Sequence, residues 1–352
     1  MPKILRYGTE EQRSVIYTPL DPLEDLSNLL SGLRSSEFVG SVLKKKHSLS
    51  AKDAVRLARP IGHHAAKAVG FLHQAYAGPP DLSFLPIYYA LLSLSKIYIL
   101  CHFGKDGDGA GRHHGASVAT DQNGEPLDSR ISIRSGGVFP MFYRALTDTE
   151  PMWQSISVGE LLPLVPCLES ELEMTLEGAT SLCNLSIDID EANEGRFELR
   201  IRIFTEHGIA SLASELAVLE GCELAEEDTT PSRRTYIGPP LEGRSVDEVT
   251  SDLLRGVRRE LLYYRPAPFF ANMMTSTPAH RDFAVPEEIP LWLLFFWLSN
   301  VVRYSPEQLE ELQDSRLWPI LLTLRKHATL RFLILFWSYF HKTSFGVKAG
   351  TM

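Results

Sequence analysis

The spacing of apolar residues changes twice along the chain. Up to about residue 150, and again beyond about residue 240, they recur every three to four positions, as on the buried face of a helix. In between, the period falls to two on either side of the turn Asn193-Glu194-Gly195, which predicts a β-hairpin. The chain is therefore predicted to be mainly α, of the α+β class. Helices from both ends of the sequence would build one bundle around a small antiparallel β-hairpin insertion.

This pattern divides the chain into three parts. Residues 1–150 are expected to form the N-terminal helical part of the core, 151–240 an α/β insertion with the hairpin, and 241–352 the C-terminal helical part. Residues 223–240 are acidic and then bounded by prolines, which predicts a mobile loop.

Capping residues and prolines predict where individual helices begin and end. Ser48 or Ser50 is expected to cap a helix over 51–77. Pro60 and Gly62 are expected to kink or split this helix, because proline lacks the amide donor and clashes with the preceding turn. Further helices are predicted over 22–33, 88–103, 139–146, 158–164, 209–219, 246–260, 290–303, 306–313 and 318–340, and short strands over 14–17 and 131–133.

Composition and charge narrow the function classes. Apolar residues make up 44% and charged residues 22%, which is ordinary for a globular protein. The formal net charge of −9 argues against a protein that coats nucleic acid by bulk electrostatics, but it leaves room for a local basic site. The apolar runs 289–302 and 330–340 fall short of the roughly 20 residues that span a bilayer, so no membrane contact is expected.

Targeting and cofactor signals are missing from the sequence. The first residues carry no long apolar segment of a signal peptide, and the four cysteines lie far apart, which together predict a cytoplasmic protein with reduced thiols. We find no phosphate-binding loop, no nucleophile elbow and no zinc-binding helix motif. No cofactor and no metal are therefore expected.

The first candidate site is Arg112-His113-His114-Gly115, which follows the apolar helix and a glycine-rich loop. Two imidazoles beside a guanidinium could grip a phosphate and shuttle protons. These groups are the minimum needed for metal-independent RNA cleavage through the ribose 2′-hydroxyl. The alternative interpretation is a solvated loop end, or a histidine that caps the next helix.

The second candidate is a set of basic residues on the helix predicted over 51–77. Arg56 and His63 lie seven positions apart and therefore share one face of an ideal helix. Pro60 intervenes, and the alternative is an exposed polar face. Arg59 and His64 complete this set, while Arg325, Lys326, His327 and Arg331 on the terminal helix are interpreted as a solvated face.

Four short segments follow one another in an order found in a known family. They are 85–100 with the pair Tyr88-Tyr89, the step His114-Gly115, 137–140 leading to 157–162, and 297–306. Together they resemble the YaaC-like family, a bacterial group related to HEPN-type helical proteins. The resemblance implies a helical bundle with a β insertion, in which Lys96 and His114 match the helix-then-His-Gly layout. HEPN-type domains often pair around one groove, which implies a homodimer by analogy.

The leading hypothesis is an HEPN-like protein that binds or cleaves RNA without a metal, in a bacterial defence or stress system. Arg112 would hold the phosphate while His113 or His114 supplies acid–base chemistry. The second choice fits the Arg-to-His spacing of HEPN ribonucleases but lacks an unbroken motif on one helix; it consists of Arg56, Arg59 and His63. The alternative is a non-catalytic scaffold or regulatory subunit that dimerises or binds a protein partner from the same operon.

Overall fold

The chain folds into two compact units, one helical and one containing a β-sheet. The helical unit comprises residues 12–180 and 288–352, and the sheet unit comprises 1–11 and 181–287. Helices from both ends of the sequence thus share one unit, which confirms the prediction of a mainly α, α+β protein. The sequence predicted the insertion at 151–240, and residues 181–287 belong to the sheet unit. This computed structural model describes residues 3–4, 13–18, 21–104, 113–119, 125–151, 153–175, 182–191, 195–203, 222–227, 233–245, 261–264, 272–276, 285–342 and 344–349.

The described helices and strands of both units are as follows, in chain order. The helices are α1 (Pro22–Leu30), α2 (Ser36–Lys46), α3 (Ala51–Ala77), α4 (Phe84–Phe103), α5 (Val138–Thr147), α6 (Val158–Leu161), α7 (Glu169–Thr175), α8 (Glu288–Tyr304), α9 (Pro306–Asp314), α10 (Trp318–Thr323) and α11 (Thr329–His341). The strands are β1 (Lys3–Ile4), β2 (Arg13–Thr18), β3 (Ala116–Ala119), β4 (Arg130–Ile133), β5 (Ser155–Ser157), β6 (Leu182–Glu191), β7 (Arg196–Ile203), β8 (Glu223–Glu227), β9 (Arg233–Pro240), β10 (Leu261–Tyr264), β11 (Asn272–Ser276) and β12 (Ser344–Ala349).

Helix α4 lies at the centre of the helical unit. It is long and apolar enough to cross a membrane by length and composition alone, but 78% of its most apolar stretch is buried inside the protein. It packs against α3, α5, α8 and α11, which is how a helix that is apolar on all sides is accommodated in a core. Between residues 84 and 100, the side chains that stay partly exposed share one face by their spacing; they are Leu85, Tyr89, Leu92 and Lys96.

Helix α3 is continuous, so Pro60 does not split it. Ser50 caps its start as predicted, because Ser50 Oγ accepts a hydrogen bond from the backbone N–H of Asp53 at 3.1 Å. The proline removes a single donor from a 27-residue helix, and packing along α4 holds the remaining turns in place. Gly62 allows the preceding chain to approach closely, since a Cβ at this position would lie 2.9 Å from the carbonyl oxygen of Leu33.

The terminal helix predicted over 318–340 contains a π-helical turn at Leu324–Ala328, which joins α10 to α11. The side chain of Tyr76 reaches this turn and its hydroxyl donates a hydrogen bond to the carbonyl oxygen of Arg325 at 2.9 Å. A π turn widens the helix and weakens its regular ladder, so an outside donor at this carbonyl stabilises it. The periodicity of apolar residues alone did not reveal this interruption.

In the sheet unit, the predicted hairpin is confirmed as β6 and β7, which pair antiparallel. It belongs to a larger sheet with the order β10-β11-β6-β7-β9-β8, and β1 also pairs with β6. The prediction of a mobile loop over 223–240 is wrong, because β8 and β9 pair antiparallel there. Prolines end β9 and are tolerated at a strand end, which is why the composition was misleading. The helices predicted over 209–219 and 246–260 lie outside the described residues.

The contact between β7 and β9 depends on a glycine. The buried ring of Phe197 covers Gly238 so closely that a Cβ at residue 238 would overlap the ring. Gly238→Ala is therefore expected to lower the free energy of unfolding by about 1–3 kcal/mol, the usual cost of overpacking. In a Phe197→Leu background, which clears the space, the same change should cost little. Equal costs in both backgrounds, measured by urea unfolding, would refute this contact.

Candidate functional site

The turn formed by His113, His114 and Gly115 is fixed by its backbone to the start of α5. The N–H groups of Val138 and Phe139 donate to the carbonyl oxygens of His113 and His114 at 3.1 and 2.9 Å. No side chain caps α5, whose N-cap residue is a glycine. The two histidine carbonyls take over that role, since the first N–H groups of a helix lack intrahelical partners. The backbone of both histidines is therefore fixed to the helix.

Two glycines make this close approach sterically possible. Gly115 has φ of +82°, and a Cβ there would lie 2.5 Å from Cδ of Pro140. Gly137 has φ of +108°, and its Cβ would lie 2.6 Å from Cα of Gly115. L-residues disfavour both the backbone conformation and the contact. The His114-Gly115 step and the 137–140 segment, far apart in sequence, thus form one tightly packed corner.

His114 lies against the buried face of α4. The hydroxyl oxygen of Tyr88 is 2.6 Å from His114 Nδ1, and the ring of Phe296 on α8 lies 5.9 Å from the imidazole. Burial lowers the pKa of His114, and the positive charges of Arg303, Lys96 and His113 lower it further. His114 is therefore neutral at pH 7. Burial also raises the pKa of Tyr88, so its phenol stays protonated.

Arg303, at the end of α8, reaches the same place. Its Nη1 donates to the hydroxyl oxygen of Tyr89 at 3.2 Å and its Nε to the carbonyl oxygen of Ser299 at 3.2 Å. The guanidinium carbon lies 5.3 Å from the ring of Tyr304. Within the described ranges, no carboxylate lies within ion-pairing distance of this half-buried arginine. Its charge is thus held next to neutral His114, with no acidic partner in the described part of the chain.

A second neutral histidine, His64 on α3, lies near the same positive charges. His64 has its pKa lowered to about 4, first by burial and then by the charges of Lys96, Lys67 and His63. Lys96 thus influences both His64 and His114. We define the basic cluster as His64, Lys96, His114 and Arg303, which α3, α4, the histidine turn and α8 contribute. The two cations of this cluster, Lys96 and Arg303, suit an anionic, acceptor-rich ligand such as a phosphate.

The structure separates Arg56, from the second predicted set, from the histidine turn. Arg56 pairs with Asp53 at 3.2 Å and donates to the carbonyl oxygen of Gly104, beyond the C-terminal end of α4. Gly104 follows Tyr88 by 16 positions, which corresponds to roughly 24 Å along a helix. Arg56 and His114 therefore lie at opposite ends of α4 and do not share one site.

The other predicted residues fall into three situations. His113 is exposed beside His114 in the anchored turn, whereas Arg112 lies outside the described residues. Arg59 and His63 are exposed on α3, and the ring of His63 lies 6.0 Å from that of His64. In the terminal helix, Arg325 donates to Ser83 Oγ at 2.7 Å, which is a structural contact.

Arg303 and Tyr304 were not among the predicted site residues. The sequence did contain a signal for them. Both residues lie at the end of the apolar helix, within the segment 297–306 that is part of the family resemblance. An arginine at the end of a helix is, however, also a common partner for the helix dipole, so its role was not evident without its neighbours.

Together, the fold and the basic cluster define a mainly helical α+β protein with a donor-rich site beside a buried aromatic core. The chain belongs to the YaaC-like family, because the model of the YaaC-like protein matches residues 31–340. This range contains all four segments from which the sequence resemblance was drawn. No curated protein and no solved structure shows a significant match.

Proposed function

We propose that this protein binds RNA at the basic cluster. The observation that carries the proposal is Arg303, a half-buried cation with no carboxylate partner among the described residues, beside the neutral imidazole of His114. Arg303 and Lys96 would hold backbone phosphates through charge-assisted hydrogen bonds. A local site of this kind is compatible with a net charge of −9, because it does not need an overall basic surface.

An exposed aromatic ring beside Arg303 favours single-stranded RNA. Tyr304 is 67% exposed and lies against the Arg303 guanidinium. Unpaired bases stack on such rings while neighbouring cations hold the phosphates. A paired base cannot stack in this way without leaving its helix. Single-stranded RNA is therefore the expected ligand, with Tyr304 as the stacking residue.

Metal-independent RNA cleavage is the second candidate function. The observation that favours it is the pair of adjacent imidazoles, His113 and His114, on one anchored turn.

The remaining expectations stay predictions: an HEPN-like relationship, a cytoplasmic homodimer, a role in defence or stress response, and a protein partner from the same operon. A scaffold or regulatory subunit is the alternative if RNA does not bind.

Binding of a labelled single-stranded RNA, followed by fluorescence anisotropy, tests the proposal. If Arg303 and Lys96 each neutralise one phosphate, the logarithm of the affinity should fall with that of the salt concentration with a slope of about −1.4. Tyr304→Ala should weaken binding about fivefold or more through lost stacking, whereas Tyr304→Phe should keep it. Salt-independent binding, or binding equally strong to duplex RNA, would contradict the site. The same samples with EDTA, run on a gel, test for cleavage.

A further inference from the structure

The contact between Tyr88 and His114 determines what chemistry the histidine can offer. We infer that Tyr88 is a positioning residue that holds His114 in the Nε2–H tautomer, so that His114 presents a hydrogen-bond donor, and not a general base, to an RNA phosphate. This inference rests on the proposed function for its ligand. The tautomer itself depends only on the hydrogen bonds and charges within the protein.

The buried hydroxyl group of Tyr88 acts as a hydrogen-bond donor. Its side chain is fully buried against Trp292 and Phe296, with ring distances of 5.3 and 5.5 Å. In the described part of the chain, the only hydrogen-bond partner of its hydroxyl is His114 Nδ1, at 2.6 Å. A buried hydroxyl hydrogen without an acceptor is costly. Tyr88 must therefore donate to Nδ1.

The single proton of the neutral His114 imidazole lies on Nε2. A neutral histidine carries one N–H, so a nitrogen that accepts from Tyr88 leaves the proton on the other nitrogen. The charged and titratable groups that face His114 are Tyr88 and Lys96 on α4, Arg303 on α8 and His113 in the turn, and the three basic groups disfavour a second proton. Nε2 therefore carries the hydrogen.

The Nε2 hydrogen of His114 points away from Tyr88. Nε2 lies on the side of the ring away from Tyr88, on a half-exposed side chain, and has no partner among the residues described. It is also not one of the fully buried unpaired nitrogens, so it keeps some contact with solvent. The backbone bonds to α5 and the contact with Phe296 hold the ring in place. The donor is therefore preorganised beside Arg303.

This geometry gives His113 and His114 different chemical roles. As a general base, His114 would need an unprotonated Nε2, which would place its proton on Nδ1 and leave the Tyr88 hydroxyl without an acceptor. His114, Arg303 and Lys96 then form a set made only of donors, which matches the acceptor-only oxygens of a phosphate. If the protein cleaves RNA, His113 is the base expected in the histidine turn.

The tautomer is measured directly by NMR on the full chain with ¹⁵N-labelled histidines, without RNA. The His114 signals are assigned by their loss in His114→Gln. Nδ1 is expected at the shift of an unprotonated, hydrogen-bonded nitrogen and Nε2 at that of an N–H. In Tyr88→Phe, the Nδ1 signal should move and both tautomers should be populated, with RNA affinity reduced about 2- to 10-fold. Tyr89→Phe is the matched control, because it removes a neighbouring hydroxyl that contacts Arg303 and should leave the tautomer unchanged.

A protonated Nδ1 in the wild type, or an unchanged spectrum in Tyr88→Phe, would overturn the inference. If Tyr88→Phe does not fold, the wild-type spectrum still shows which nitrogen of His114 carries the proton. A comparison of two substitutions of His114 tests the same point. His114→Gln keeps a donor near the place of Nε2 and should retain more RNA affinity than His114→Asn, which keeps one near Nδ1. If the tautomer is as expected but RNA does not bind, the proposed function fails while the role of Tyr88 stands.

Discussion

Arg303→Ala is expected to weaken RNA binding about 10- to 100-fold, because a charge-assisted hydrogen bond to phosphate contributes about 1.5–3 kcal/mol. Arg303 is held for this contact by Tyr89 and Ser299, and no acidic side chain among the described residues neutralises it. The salt dependence should also become shallower by about 0.7, the value for one phosphate on a single strand. Anisotropy titrations at several salt concentrations measure both effects.

Two further variants separate this role from bulk charge. Arg303→Lys keeps the charge but loses the planar fork that bonds Ser299 and Tyr89 together, so its affinity should lie between those of wild type and alanine. Arg316→Ala removes an exposed arginine elsewhere on the surface and should bind RNA like wild type. A similar loss in Arg316→Ala would mean that the protein attracts RNA by overall charge. No loss in Arg303→Ala would rule out the basic cluster as the site.

Gly115→Ala is expected to destabilise the protein by about 2–5 kcal/mol. A left-handed backbone costs an L-residue about 1–2 kcal/mol, and forcing a methyl group into a packed space costs about 1–3 kcal/mol more. Both conditions hold here, with φ of +82° and a Cβ 2.5 Å from Pro140 Cδ. Urea unfolding of the variant and the wild type measures the difference in free energy.

Gly104→Ala is the matched control for this prediction. Gly104 lies in the same unit and has φ of +64°, but a Cβ there would meet only Leu49 Cδ2 at an ordinary 3.5 Å. It should therefore cost only the backbone component, about 1–2 kcal/mol. If the two variants lost equal stability, the close packing between the histidine turn and α5 would not be a real constraint.

The basic cluster lies beside a buried aromatic core shared by three helices. Tyr88 packs against Trp292, and Trp292 packs against Phe139 at a ring distance of 5.1 Å, so α4, α5 and α8 meet directly beneath His114. Close-packed interiors resist displacement. A site whose donors are fixed in this way loses little conformational entropy on binding, which favours recognition of a group with defined geometry.

Sequence alone determined the class of the fold and most of its helices. Apolar residues at helical spacing mark buried faces regardless of what covers them, and so α4, α8 and α9 were predicted within a few residues. The hairpin β6–β7 followed from alternation and a turn. His113 and His114 were also predicted from the sequence as candidate site residues, because two imidazoles together suit acid–base chemistry.

Only the tertiary structure decided which of these residues lie together. It placed Arg56 about one α4 length away from His114 and brought Arg303, 189 positions later in the sequence, beside it. Pairing of β8 with β9 and the π turn before α11 depend in the same way on distant partners. The physical reason is that spacing reports the face of an element, whereas a site depends on which faces meet, and packing between remote segments decides that.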